Sequence, residues 1–397
     1  MKIVTGIRRC GKSYLLFRIF YDWLRSQGVD DAHVIRANLD NWSNRHLRNP
    51  EILHEFISGR ITDDGMYYIL LDEIQLVPNF EEILNEFLCR PGTDIYVTGS
   101  NAHLLSKDIV TEFRGRGDEV RIAPLSFREF MSVWDGSKEK GLDEFMTYGG
   151  LPQILTYQGA EDKAFYLQEL FGEAYLRDIV ERNGIRHDYD LEELVNVLAS
   201  GIGGLTNPKK LADSFTSEKG SKITRDTVKA YIDYLCDAFL IEKAVRYDIK
   251  GKKYIDTPFK YYFTDLGLRN ARLGFRQYEQ THLMENLIFN ELRIRGFNVD
   301  VGTVPMMITD RDGKRRQTQL EIDFVCNQGS RRYYIQSAWR LQTEAKYHQE
   351  RAPLSKIGDS FKKLIIVGED INVHRDESGI VTMGIYDFLL QDNPLEL

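Results

Sequence analysis

The chain has 397 residues, 42% of them apolar and 28% charged, with a formal net charge of −8. That length allows two or three domains with sizeable cores, and the acidic balance excludes a protein whose whole surface binds nucleic acid, so any basic surface must be local. No apolar run approaches the ~18 residues of a transmembrane helix, so no membrane partner is expected. The cysteines, Cys10, Cys89, Cys236 and Cys326, form no C-x-x-C pair and no short disulfide framework, which suits a reducing cytoplasm.

Ile3 and Val4 predict the end of a short buried strand. Tyr14 to Leu24 has helical spacing, with Leu15, Leu16, Ile19, Phe20 and Trp23 as one apolar stripe. Between them stands Gly6-Ile7-Arg8-Arg9-Cys10-Gly11-Lys12-Ser13, the G-x-x-x-x-G-K-S pattern of a phosphate-binding loop. Gly6 and Gly11 let the backbone curl so that N–H groups face an anion, and the following helix points its positive end at the same place. Lys12 is placed to reach the β- and γ-phosphates, and Ser13 to put its hydroxyl on a magnesium ion. The loop residues Arg8, Arg9 and Cys10, and Tyr14 just past it, complete the predicted nucleotide contacts. Only five residues precede Gly6. The upstream segment that covers the adenine in many nucleotide-binding domains is therefore missing or supplied from elsewhere, and a gene start upstream of Met1 would account for it.

Residues 33–39 alternate as a strand, and 50–60 read as a polar helix. The run Tyr67-Tyr68-Ile69-Leu70-Leu71-Asp72-Glu73 is a strand apolar on both faces that ends in two acids, as in a parallel sheet covered by helices. Asp72 fits a magnesium ligand, direct or through water, and Glu73 a general base that orients the attacking water. A helix over 80–88 leads to the strand Asp94 to Val97, whose polar end carries Thr98, Gly99, Ser100 and Asn101. Ser100 or Asn101 fits a sensor of the γ-phosphate; the same residues also fit a helix cap. Arg116, Gly-flanked in Phe113-Arg114-Gly115-Arg116-Gly117, fits a cation for the transition state, from the same chain or a neighbour in a homo-oligomer, or else a solvated basic turn.

Residues 136–141 form a polar, Gly-bounded break. Helices are expected over 142–148 and 160–182, with a turn at Tyr148-Gly149-Gly150-Leu151-Pro152 between them. Three helices over 191–200, 207–215 and 224–239, then a hairpin with a Lys-Gly-Lys-Lys turn at 250–253, give the order of a winged helix-turn-helix. Residues 205–260 hold twelve Lys/Arg against eight Asp/Glu. Lys222, Arg225, Lys229, Lys250, Lys252 and Lys253 fit a DNA contact; a protein-binding module or solvated surface fits them equally.

A helix over 282–292 carries Glu285, and strands over 299–302, 319–326 and 332–338 follow. Glu285 and Asp323 match the outline of a PD-(D/E)xK nuclease core, but Gln336 stands where that core has a Glu and Ala338 where it has its Lys. Metal-dependent cleavage is therefore not expected.

Taken together, the phosphate loop, Leu70-Leu71-Asp72-Glu73-Ile74-Gln75, Thr98-Gly99-Ser100-Asn101, Gly115-Arg116, Pro124 to Phe130 and Glu321 to Val325 resemble prokaryotic AAA-type ATPases that carry the C-terminal region called domain of unknown function 4143 (DUF4143). The resemblance implies a multidomain α/β chain. A P-loop ATPase domain that takes ATP and Mg2+ would span 1–135, a helical linker 136–190, a winged helix 191–270 and a degenerate nuclease-like domain 280–397.

Overall fold

Strand β1 (Lys2–Thr5) runs straight into the phosphate loop and lies inside a five-stranded sheet with β2 (Val34–Asn38), β3 (Tyr67–Asp72), β4 (Thr93–Thr98) and β5 (Asp118–Arg121). The order is β2-β3-β4-β1-β5, with every pairing parallel. The computed structural model describes residues 1–99, 113, 117–186, 188–219, 223–309, 315–341 and 343–397. They divide into two units: Met1–Pro124 with Leu151–Gln153 and Asp237–Phe239, and the remainder of the chain.

Alternation along β3 explains why its sequence is continuously apolar. Tyr67, Ile69 and Leu71 pack on one face among Leu53 and Ile57 of the helix Pro50–Ser58 and Ile83, Leu84 and Phe87 of the helix Phe80–Cys89. Leu70 packs on the other face with Leu16, Leu24 and Val34. Each such side chain contributes about 1.5–3 kcal/mol when withdrawn from water.

The helix after the phosphate loop departs from the predicted stripe. It comprises Lys12–Tyr14, a π-helical stretch Leu15–Phe20, and Tyr21–Ser26. A π-turn holds more residues than an α-turn and rotates the next turns about the helix axis. Leu16 and Leu24 are buried, whereas Ile19 and Trp23 are more than half exposed. A second difference lies at the expected break over 136–141. Ser137 accepts a hydrogen bond from Lys140 N and caps the helix Lys138–Tyr148, which takes in residues 138–141 of that stretch.

The second unit is built on an eight-stranded sheet of order β12-β13-β11-β10-β9-β8-β6-β7. Its strands are β6 (Ile241–Asp248), β7 (Lys253–Phe263), β8 (Asn298–Thr309), β9 (Arg315–Gln328), β10 (Arg331–Ala338), β11 (Lys362–Val367), β12 (His374–Arg375) and β13 (Val381–Gly384). The three helices expected ahead of the hairpin are Asp188–Ser200, Pro208–Lys219 and Arg225–Asp237. The hairpin β6–β7 is antiparallel, and β6 also pairs in parallel with β8 through Arg246↔Val301, so the hairpin is the edge of the large sheet. The helix Gln280–Ile294 covers one face, where Tyr262 stacks on Phe289 at 4.2 Å between ring centroids. Helices Leu266–Arg272 and Glu344–Ser355 have no counterpart in the sequence pattern. The first is capped by Asp265, which accepts from Leu268 N at 3.0 Å and from Gly150 N at 2.7 Å. Among the described residues no helix is long and apolar enough to cross a membrane.

Candidate functional site

The carboxyl ends of β1, β4 and β3 lie side by side, since β4 pairs with both neighbours. The phosphate loop leaves β1 at Gly6, whose φ is +142°, and a Cβ there would stand 2.1 Å from the carbonyl oxygen of Ile122. Only glycine fits. Arg9 and Gly11 also have positive φ, 67° and 104°, and this run of left-handed turns makes the curl that the spacing predicts. Cys10 is buried, its Sγ 3.5 Å from the Ile122 oxygen, and burial pushes its thiol up, which makes it an inert wall of the loop.

Lys12 is 5% exposed. Its ammonium donates to the carbonyl oxygens of Gly6 at 2.9 Å and Ile7 at 3.1 Å. Both partners are neutral, so among the described residues the buried positive charge meets carbonyl dipoles and no carboxylate, an arrangement suited to receiving an anion. Ser13 and Tyr14 are exposed beside it, and Arg9 is exposed on the loop.

Asp72 is buried at the end of β3. Asn38 Nδ2 donates to its Oδ2 at 3.0 Å, and the Thr98 hydroxyl donates to its Oδ1. Glu73 comes next, in the left-handed region at φ 56°, a strained conformation for a residue with a Cβ. Its N–H donates to Thr98 Oγ1 at 3.1 Å, and its carboxylate accepts from Gln75 Nε2. Thr98 thus ties both acids to β4. The motifs alone assign no role to Asn38, Thr98 or Gln75. Asn38 and Thr98 are the last residues of their strands, and that position is the one signal the sequence carries for them. The donor set fits the expected nucleotide and ion: a loop start at Gly6 that no Cβ could enter, an ammonium with no carboxylate partner among the described residues, and a carboxylate held by two neutral donors. Ser100, Asn101 and Arg116 lie outside the described residues.

The second unit holds another polar cluster. Lys260 of β7, 3% exposed, donates to Glu285 Oε1 at 2.9 Å and Glu321 Oε1 at 2.7 Å. Tyr262 OH donates to Glu285 Oε1 at 2.7 Å. Asp323 Oδ2 accepts from Ser337 N at 2.7 Å and Ser337 Oγ at 2.9 Å, and Asp323 N donates to Gln336 Oε1 at 3.3 Å. Burial and then the charge of Glu285 push the Asp323 carboxyl up to about 7. Burial disfavours the Lys260 charge, but Glu285, Asp323 and Glu321 outweigh it and raise its pKa. The structure therefore gathers Glu285, Asp323 and Gln336, buries Ala338 on β10, and adds Lys260 and Glu321. Among the described residues, Arg225 and Lys229 lie exposed on the helix Arg225–Asp237, and Lys250, Lys252 and Lys253 are exposed at the hairpin turn; Lys222 lies outside the described residues.

A curated protein of Haemophilus influenzae, named only as an uncharacterized protein, is 32% identical over 98% of this chain and 94% of its own. The chain belongs to the same family as that protein. An uncharacterized protein of Methanocaldococcus jannaschii, MJ1544, is 29% identical over 95% of this chain and 82% of its own. Residues 1–131 match the family described as the AAA domain, so the phosphate loop, Asp72 and Glu73 belong to an AAA domain. Residues 139–279 match domain of unknown function 8612 (DUF8612), whereas the sequence motifs resembled chains with domain 4143. Among solved structures, the Aeropyrum pernix Orc1 protein in complex with DNA aligns over 68% of this chain and 85% of its own, at 16% identity and a TM-score of 0.27, too low to carry an argument.

Proposed function

We propose that this family member is a Mg2+-dependent ATPase whose AAA domain drives a conformational change in the second unit, which binds DNA or a protein. One observation carries the reading: the ammonium of Lys12, buried in a glycine cradle with two neutral carbonyls for partners. Such a charge is stabilised strongly by a polyphosphate. In this reading Gly6 and Gly11 shape the loop, Arg8, Arg9, Cys10 and Tyr14 line it, and Lys12 leaves its carbonyls for the β- and γ-phosphates. Ser13 and Asp72 would hold the ion, which when bound would supply neutralising charge for the phosphoryl group. Glu73 orients the attacking water and takes its proton, while Ser100, Asn101 and Arg116 sense or stabilise the γ-phosphate.

The test is ATP turnover of wild type, Lys12→Ala and Glu73→Gln. Lys12→Ala is expected to lose nucleotide binding, and Glu73→Gln to keep binding and lose turnover. Equal rates in all three would sink the proposal.

For the second unit, the exposed Lys250, Lys252 and Lys253 support a DNA contact made through phosphates. Duplex binding should then weaken steeply with salt and on replacing the three lysines by alanine, and DNA should stimulate ATP hydrolysis. If no duplex binds at low salt, with or without ATP, the partner is a protein.

A further inference from the structure

The charged groups of the second unit's polar cluster converge from three elements. Lys260 and Tyr262 are two residues apart on β7 and both donate to Glu285 Oε1. Glu321 and Asp323 are two residues apart on β9, which places them on one face of the sheet. Glu285 comes from the helix Gln280–Ile294. At the centre is the Lys260 ammonium, with Glu285 and Glu321 oxygens at 2.9 and 2.7 Å and the Asp323 charge acting on it.

We propose that the Lys260 ammonium occupies the place of a divalent cation in this carboxylate centre, so that the centre is closed to metal by a residue of the chain itself. Two independent features agree. The ammonium already takes an oxygen from each of two carboxylates at contact distance, and at 3% exposure it is shielded from solvent ions, while its charge would repel a second cation beside it. The charge count matches as well. The cluster has an amide, Gln336, hydrogen-bonded to the Asp323 backbone where a further carboxylate would serve a metal. One negative charge fewer accompanies a cation of one charge rather than two. The replacement works because a buried ammonium and a metal ion both need oxygen donors around them, and each relieves the repulsion among Glu285, Glu321 and Asp323.

The experiment titrates the full chain with Mn2+ in the absence of nucleotide, counting bound ions, for wild type, Asp323→Ala, Lys260→Met and the double variant Lys260→Met/Asp323→Ala. Wild type and Asp323→Ala should bind equal numbers of ions. Lys260→Met should bind one more than wild type, at least tenfold tighter than the double variant binds any extra ion. Its melting temperature should fall by roughly 5–15 °C and rise again with Mn2+, as it does when one partner of a buried ion pair is removed and then replaced. If Lys260→Met does not fold without metal, recovery of soluble protein on refolding with and without Mn2+ becomes the reading, and higher recovery with Mn2+ supports the proposal. A wild-type ion that Asp323→Ala abolishes would overturn it. So would a Lys260→Met chain that binds no extra ion, or whose refolding ignores Mn2+.

Discussion

Thr98 donates its hydroxyl hydrogen bond to Asp72 and accepts one from the backbone N–H of Glu73, so a single buried side chain on β4 fixes both acids at the end of β3. Replacing it by Val keeps the shape and removes both bonds. Thr98→Val should lower stability by about 2 kcal/mol, the cost of leaving a buried charged acceptor short of a donor. It should also cut ATP turnover about tenfold while nucleotide affinity changes less. Thr98→Ser should restore both. Denaturant melts and steady-state rates on the three proteins decide it.

Gly6→Ala puts a methyl group into the Ile122 carbonyl. The loop must open to admit it, at about 1–3 kcal/mol of overpacking, which appears as a ten- to hundredfold loss of nucleotide affinity. Titration with a fluorescent ATP analogue reads that loss directly, and a circular dichroism spectrum like wild type shows that the fold survives.

The π-helical stretch Leu15–Phe20 makes neighbouring residues unequal. Leu24 is 1% exposed and Trp23 is 53% exposed. Leu24→Ala should cost about 2–5 kcal/mol, whereas Trp23→Ala and Ile19→Ala should each stay within about 1 kcal/mol. An uninterrupted α-helix with the stripe read from the sequence would reverse the order for Trp23. Urea unfolding of the three variants separates the two.

Burial pushes the Asp265 carboxyl up to about 6, and the N–H groups of Gly150, Leu268 and Gly267 pull only part of the way back. The folded chain thus holds this proton at pH values where the unfolded chain has lost it. The contribution is fully present below the ordinary aspartate value near 4 and is lost as pH rises to about 6. The stability difference between wild type and Asp265→Asn should therefore shift against wild type by about 3 kcal/mol across that window and be flat above it. Thermal melts of both proteins from pH 4 to 7 test the sign.

The phosphate loop and the Asp72–Glu73 pair were legible because each is a short, contiguous pattern with its own strand context. So was β3, because an apolar run of that length ending in two acids suits a strand covered on both faces better than a helix. The partners of those acids were not. Asn38 and Thr98 reach Asp72 from 34 and 26 residues away, and only strand order brings them there. Lys260 was hidden for the same reason, since it meets Glu285 and Glu321 through a sheet edge and a covering helix. The π-turn left no mark in the periodicity; Ile19 and Trp23 are as apolar as a core stripe requires. Asp265 reads as a helix cap only once the short helix Leu266–Arg272 is known, and seven residues give too little pattern for that.

The pairing of β6 with β8 makes the hairpin an unusual handle. A wing attached only through its own two strands can swing while the body behind it stays still. Here the turn at Lys250–Lys253 is stitched through β6 into a sheet that continues strand by strand to β12. If a partner grips those lysines as proposed, it takes hold of the whole slab, and a force applied at the turn reaches the far strand through backbone hydrogen bonds.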